Sequence, residues 1–292
     1  MAGLRILLTG AQGQVGHELA RLLRPHGDVV ATDRATLDLA DADAIVAAVR
    51  AARPQLVVNA GAYTAVDLAE RERDRAFAVN ARAPQVLAEE AKRAGAVLVH
   101  YSTDYVFDGA ASSPYAEDAP TGPLNVYGAS KLEGERAVAA TGAHALVLRT
   151  SWVYGTHGKN FLLTILRLAA ERDELRIVAD QAGTPNWSRT LAAATAALVA
   201  RGLPDLAERA GLYHLSSTGA TTWHGFAAAI VGKAARPRVV PITTAEYPTP
   251  ARRPAYGVLA TDRFRTAFGF ALPPWRDVLT ACLAARAAEP AD

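Results

Sequence analysis

The chain opens on a short apolar run, Leu4–Thr9, followed by a glycine-bearing polar break, an amphipathic stretch over 14–26 and a second apolar run over 29–32. Apolar residues recurring every three or four positions predict a helix, and bounded apolar runs of four to eight residues predict strands, so this opening reads as βαβ. The alternation continues with a helix over about 41–52, a strand at 55–59, a helix through about 75–94, a strand at 97–102, a helix near 126–140 and a strand at Ala145–Thr150. None of these strands alternates apolar with polar positions. Continuous apolar strands suit a parallel sheet covered by helices on both faces, which predicts a doubly wound, Rossmann-type α/β fold.

Past Tyr154 the rhythm loosens, and Gly155, Gly158, Gly183, Pro185, Gly202 and Pro204 separate shorter elements. A smaller C-terminal α/β domain is therefore expected. The main domain is read as residues 1–155, with about 188–216 packing back on it; about 156–187 and 217–292 form the smaller one. Pro241, Pro248, Pro250 and Pro254 mark an ordered irregular loop, Pro273 precedes a last amphipathic helix through Arg286, and the final few residues are expected to fray.

A length of 292 residues suits one large or two unequal domains. Lys and Arg total 31 against 29 acidic residues, a formal charge of +2, which excludes binding nucleic acid by charge alone. The single cysteine, Cys282, excludes an internal disulfide and any CxxC site, and it fits a reducing compartment. The apolar start is too short for a signal peptide, and no run approaches the ~18 apolar residues that span a bilayer. A cytoplasmic protein with no membrane or nucleic-acid partner is expected. His100, His144 and His214 sit in or beside apolar runs and read as uncharged core or rim residues.

Gly10, Gly13 and Gly16 follow the first strand and open the first helix, as TGAQGQVG. In that context the first glycine permits a tight turn, the second a close backbone approach to a pyrophosphate and the third close helix–strand packing, while free amides at the helix start attract phosphate. The turn residues Gln12, Gln14 and Val15 join this dinucleotide site. Asp33 ends the second strand, where a carboxylate accepts hydrogen bonds from the adenosine ribose; alternatively it only caps a turn. The guanidinium of the adjacent Arg34 can pair with a 2′-phosphate. NADPH is thus the expected cofactor and NADH also serves, with Asp38 and Leu39 flanking the adenine.

Tyr127 and Lys131 stand four residues apart, hence on one face of a helix. A phenol with a pKa near ~10 is a sluggish acid, and a neighbouring ammonium brings it toward neutrality. Ser102, Thr103 and Asp104 end the fourth strand, and carboxyl ends of parallel strands are where open α/β sheets bind ligands. A Thr103 hydroxyl there can hydrogen-bond the substrate oxygen that takes the proton.

With these residues in place the chain resembles the extended short-chain dehydrogenase/reductase superfamily and, within it, the dTDP-4-dehydrorhamnose reductase family. The resemblance rests on LLTGAQGQVG, VVNAGAYTAVDLAE, HYSTDYVFDG, NVYGASKLEGE, LRTSWVYG, YHLSSTGATTWHGFA and YPTPARRP, taken in order along nearly the whole chain. It implies Thr103, Tyr127 and Lys131 as the catalytic set, with Tyr127 the acid, Lys131 also holding the nicotinamide ribose, and Ala60, Gly61 and Ala62 lining the cofactor. Thr103, Asp104, Tyr105 and Trp152 would contact a dTDP-sugar. Arg252 and Arg253, in the Pro-rich loop, carry guanidinium forks that match the oxygens of a diphosphate, or else form a solvated basic pair, and Trp223 reads as structural. The implied reaction is reduction of the 4-keto group of dTDP-4-dehydro-L-rhamnose.

Two departures from the family pattern stand out. Tyr256 and Gly257 follow ARRP where Asn and Ser are usual, which keeps a sister 4-ketoreductase for another dTDP-deoxysugar, such as a dihydrostreptose synthase, in view. A non-catalytic subunit like the methionine adenosyltransferase β subunit shares the same resemblance. Some members pair through a divalent metal held by acidic residues; Glu18 is present, but Arg189 occupies the second neighbourhood. No metal site is expected, and a monomer or weak homodimer without a bridging metal follows.

Overall fold

The computed structural model describes residues 3–232 and 236–288, so the expected fraying at 289–292 lies outside the described residues. The first half runs β1 (Leu4–Thr9), α1 (Gln14–Leu22), β2 (Gly27–Thr32), α2 (Ala42–Ala52), β3 (Leu56–Asn59), α3 (Val66–Ala69), α4 (Arg73–Phe77), α5 (Ala83–Ala94), β4 (Val97–Thr103), α6 (Val126–Thr141) and β5 (Ala145–Thr150). The second half runs β6 (Val153–Tyr154), α7 (Phe161–Glu171), β7 (Glu174–Val178), β8 (Ala182–Gly183), β9 (Asn186–Trp187), α8 (Ser188–Ala200), α9 (Leu203–Glu208), β10 (Gly211–His214), β11 (Thr221–Thr222), α10 (Trp223–Val231), β12 (Arg238–Ile242), α11 (Asp262–Phe268) and α12 (Trp275–Ala288).

Six strands form one sheet in the order β10-β5-β4-β3-β1-β2, with each neighbouring pair parallel. Ile6, Leu8, Val58, Val99 and Leu148 pack one face against Leu19 of α1 and Leu191 of α8. Leu7, Val57, Leu98 and Val147 pack the other against Ile45 of α2, Leu87 of α5 and Val138 of α6. Burial of each such side chain contributes about 1.5–3 kcal/mol, and covering both faces explains why the strand runs are apolar throughout. β2 departs from this. It is one edge of the sheet, its burial is only partial, and Val30 is exposed. A separate core of Tyr154, Leu162, Trp187, Phe226 and Trp275 holds the C-terminal elements together.

Local chemistry sets the element ends. Asp41 caps α2 by accepting from the Ala44 amide, and Pro25 closes α1 in a 3₁₀ turn at Arg24–His26. The helix expected at 75–94 is instead two helices, α4 and α5, joined by a π-helical turn at Ala78–Arg82. That extra residue per turn carries Asn80 inward, where its amide clamps the Tyr63 backbone through both N–H and C=O. His100 and His214 are buried as expected, but His144 is exposed just ahead of β5. No helix among the described residues is long and apolar enough to cross a membrane.

Candidate active site

A cavity of about 550 Å³ lies at the carboxyl ends of β1, β2, β3 and β4. The sequence TGAQGQVG shapes its floor. Gly10 has φ +74°, and a Cβ on Gly16 would stand 2.0 Å from the Gly10 carbonyl oxygen, so a side chain at either position would force loop and helix apart. Gly16 thus lies beneath the cavity while Gly10, Gln12, Gly13, Gln14 and Val15 line it. With α1 starting at Gln14, its free amides stand at the loop. This is a cradle fitted to a pyrophosphate.

Asp33, Arg34, Asp38, Leu39, Ala60, Gly61 and Ala62 line the same cavity. Asp33 also caps its own turn: Oδ1 accepts from the Ala35 and Thr36 amides and from the Thr36 hydroxyl. The Thr36 hydrogen bonds, the largest influence, hold its pKa below the usual carboxylate range. Tyr63, Thr64, Arg75, Val79, Gly158 and Lys159 line it as well and escaped the sequence reading. Arg75 comes from α4 and Lys159 from the loop before α7, and only the glycine pair around THGKN hinted at the latter.

Tyr127 and Lys131, on α6, line the cavity too. Asn125 starts that helix by accepting from the Gly128 amide, which aims its first turn at the end of β4. Burial pushes the Tyr127 phenol up to about 12, with the Thr103 hydroxyl drawing it back and the Asp104 charge raising it further. The ammonium expected to lower that value is turned toward β4 instead. Lys131 Nζ donates to the Tyr101 carbonyl at 2.6 Å and stands 3.5 Å from His100 Nε2. Its own burial lowers its pKa to about 8, opposed by Glu135.

Thr103, Asp104 and Tyr105 cluster beside Tyr127 at the end of β4. Thr103 Oγ1 donates to Asp104 Oδ1 at 3.0 Å and accepts from the Tyr105 amide, and the Tyr105 ring meets Tyr127 edge-on at 5.4 Å. Asp104 is 1% exposed, its Oδ2 has no hydrogen-bond partner, and burial pushes its carboxyl up to about 7 against the Thr103 hydrogen bond. A Cβ on Gly257 would stand 2.5 Å from that oxygen, so the departure from Ser leaves the carboxylate its space. Trp152, with φ +43°, stacks on Trp223 at 3.6 Å and 7°. The two tryptophans, assigned separate roles from the sequence, form one unit.

Arg253 and Arg189 both have partners inside the chain. Arg253 grips Asp67 with both terminal nitrogens, at 2.9 and 2.7 Å, so its fork is engaged before any diphosphate arrives. Arg189 Nε lies 3.1 Å from both oxygens of the buried Glu18, which also accepts from Arg21.

The family model described as RmlD substrate binding domain matches residues 4–288. A dTDP-4-dehydrorhamnose reductase of Burkholderia thailandensis is 51% identical over 292 aligned residues, covering 96% of this chain and 98% of the relative. One from Streptomyces griseus is 45% identical, covering 94% and 92%. The crystal structure of the Bacillus anthracis dTDP-4-dehydrorhamnose reductase in complex with NADP superposes with a TM-score of 0.91 at 35% identity, over 97% of this chain and 99% of that one. A full-length family match, and high identity across the same span that carries the glycine cradle and the Tyr127–Lys131 pair, place this chain in the RmlD family of dTDP-4-dehydrorhamnose reductases.

Proposed function

We propose that the chain reduces the 4-keto group of dTDP-4-dehydro-L-rhamnose to yield dTDP-L-rhamnose, with NADPH as the preferred reductant and NADH accepted. The carrying observation is that a phosphate-cradling glycine loop and a Tyr–Lys pair line one cavity, in a chain of the reductase family. The cavity fits the cofactor: glycines at 10 and 16 let the loop close against Gly61 and against α1, and Arg34 and Arg75 bring positive charge beside Asp33, where a 2′-phosphate would sit.

When bound, the nicotinamide supplies a hydride to C4 of the sugar. Tyr127 gives its phenolic proton to the C4 oxygen as negative charge develops there; with its pKa up to about 12, the phenol is fully protonated across neutral pH. Thr103 turns its hydroxyl hydrogen from Asp104 to the same oxygen and orients it. Lys131 restores the Tyr127 proton and holds the ribose of the nicotinamide. Asp104, Tyr105 and the Trp152–Trp223 unit contact the sugar nucleotide, and Arg253 reaches the diphosphate by exchanging its pairing with Asp67 for the phosphate oxygens.

The same reading divides the chain into a cofactor domain, 1–155 with about 188–216, and a substrate domain, about 156–187 with 217–292. Support comes from β10 pairing with β5 and α8 lying on α1. The enzyme works in the cytoplasm as a monomer or weak homodimer without a bridging metal, since Glu18 is already paired with Arg189 and Arg21. Purified protein assayed against a panel of dTDP-4-ketosugars with NADPH and NADH tests the proposal. Turnover of the dehydrorhamnose substrate above all others supports it; preference for a different ketosugar, or binding without turnover, overturns it.

A further inference from the structure

β4 opens on an apolar run that His100, fully buried at the centre of the strand, interrupts. The register of the parallel sheet sets it beside Asn59, the last residue of β3, and their side chains meet at 3.0 Å through Asn59 Nδ2 and His100 Nδ1. The Asn59 amide has only one orientation. Its Oδ1 accepts from the Thr9 hydroxyl at 2.7 Å and from the Gly61 backbone N–H at 3.2 Å, and a backbone N–H can only donate. The NH₂ group therefore faces His100 and donates to Nδ1.

The histidine tautomer follows. An Nδ1 that accepts carries no proton, so the neutral ring bears its hydrogen on Nε2. Burial, with the charge of Lys131, lowers the His100 pKa well below 6.5 and keeps the ring neutral. The Nε2–H points at Lys131 Nζ, 3.5 Å away. An ammonium there presents hydrogens to a hydrogen, whereas a free amine presents its lone pair and accepts. The contact opposes the charged form and favours the neutral one.

We propose that His100, held in its Nε2–H tautomer by Asn59, is a positioning residue that fixes Lys131 Nζ against the Tyr101 carbonyl and makes it a readier proton donor to Tyr127. The proposal rests on the reading of Tyr127 as the acid. After Tyr127 gives its proton to the sugar oxygen, the phenolate O⁻ is reprotonated at the expense of the Lys131 ammonium, through the cavity that both side chains line; the resulting amine accepts the His100 N–H and regains its own proton from solvent. The chain of contacts also reaches the cofactor cradle, since Thr9 ends β1 and Gly61 lines the cavity.

Other groups around Lys131 act in known directions. Glu135, one turn along α6, favours the ammonium, but a two-pronged ion pair ties it to Arg149 of β5 and it also accepts from Ser102 of β4. Asp104 and Tyr105, beyond the end of β4, act at the Tyr127 side. His100 meets Nζ alongside the Tyr101 carbonyl.

Two substitutions separate the ring's edges. H100N keeps an acceptor near Asn59 and removes the group facing Lys131; H100Q reaches the Nε2 position and restores a donor there. The full chain is assayed with ketosugar and NADPH, reading the alkaline limb of kcat, which on this proposal reports Lys131, a group whose pKa burial lowers to about 8. H100N is expected to lose on the order of 10- to 100-fold in kcat and to move the limb up by about one pH unit, with NADPH affinity within about threefold. H100Q is expected to return both toward wild type. An unchanged limb and kcat in H100N, or equal losses in both variants, overturn the proposal. K131A isolates the underlying reading: full turnover in K131A removes Lys131 from the machinery and this proposal with it, while an inactive K131A beside an unaffected H100N sinks the proposal alone. If neither histidine variant folds, histidine-selective nitrogen NMR of the wild type decides: a proton on Nε2 is required, and a proton on Nδ1 or on both nitrogens refutes the assignment.

Discussion

Asp104→Asn turns the electrostatics of the site into a stability measurement. The wild-type carboxyl is buried, has one unpartnered oxygen and titrates at about 7 instead of 3.8. Its folded pKa is raised, so the folded chain holds a proton that the unfolded chain has lost, and stability must fall as pH rises from about 4 through about 7. That displacement is equivalent to about 4 kcal/mol, of which roughly 2–3 kcal/mol is lost between pH 5 and pH 8. Asparagine has nearly the same shape and no ionisation. The unpartnered NH₂ it places at the Oδ2 position costs about 1–3 kcal/mol at every pH and cancels from the comparison between pH values. Urea unfolding of both proteins at pH 5, 6, 7 and 8, without ligands, should show curves that diverge: the variant gains about 2–3 kcal/mol on the wild type between the extremes. Parallel curves within about 0.5 kcal/mol would refute the argument, because a solvated carboxyl has nothing to lose.

Arg34→Ala should weaken NADPH more than NADH in a fluorescence titration, and Arg75→Ala should do the same to a smaller extent; equal effects on both cofactors would place the two guanidiniums away from the 2′-phosphate. Glu135→Gln leaves the buried Arg149 without its counter-charge and should lose about 3–5 kcal/mol in urea unfolding, a near-neutral change being the contrary result. Trp152→Ala should raise KM for the dTDP-sugar while NADPH affinity stays put; an unchanged KM with a stability loss in the ~3–5 kcal/mol range of a buried Trp would make the Trp152–Trp223 stack packing alone.

Features written by short-range chemistry were legible in the sequence. The strands β1, β3, β4 and β5 announce themselves as apolar runs, and the glycine loop takes its shape from TGAQGQVG alone. β2 was legible as a strand but not as an edge, because Val29 and Val30 read the same whether or not a sixth helix covers them. The π-helical turn at Ala78–Arg82 has no periodic signature, and it is what sets Asn80 under Tyr63. Residues brought together across long stretches of chain were the ones missed. Asp67 and Arg253 are 186 positions apart, so the ion pair that occupies the arginine fork leaves no local trace. Asn59 and His100 did leave one, as polar residues inside strands with no other reason for polarity.

The central claim is that Tyr127 protonates the sugar C4 oxygen, and a single-turnover comparison of wild type with Tyr127→Phe tests it most directly. With NADPH and ketosugar saturating, NADPH oxidation is followed by absorbance, after cofactor affinity has been measured separately for each protein. The account predicts a fall of ~10² to 10⁴ in the rate at unchanged NADPH affinity, since only the phenolic proton has been removed. Turnover by the Phe variant within a few-fold of wild type would contradict it and pass the proton donor's role to another group.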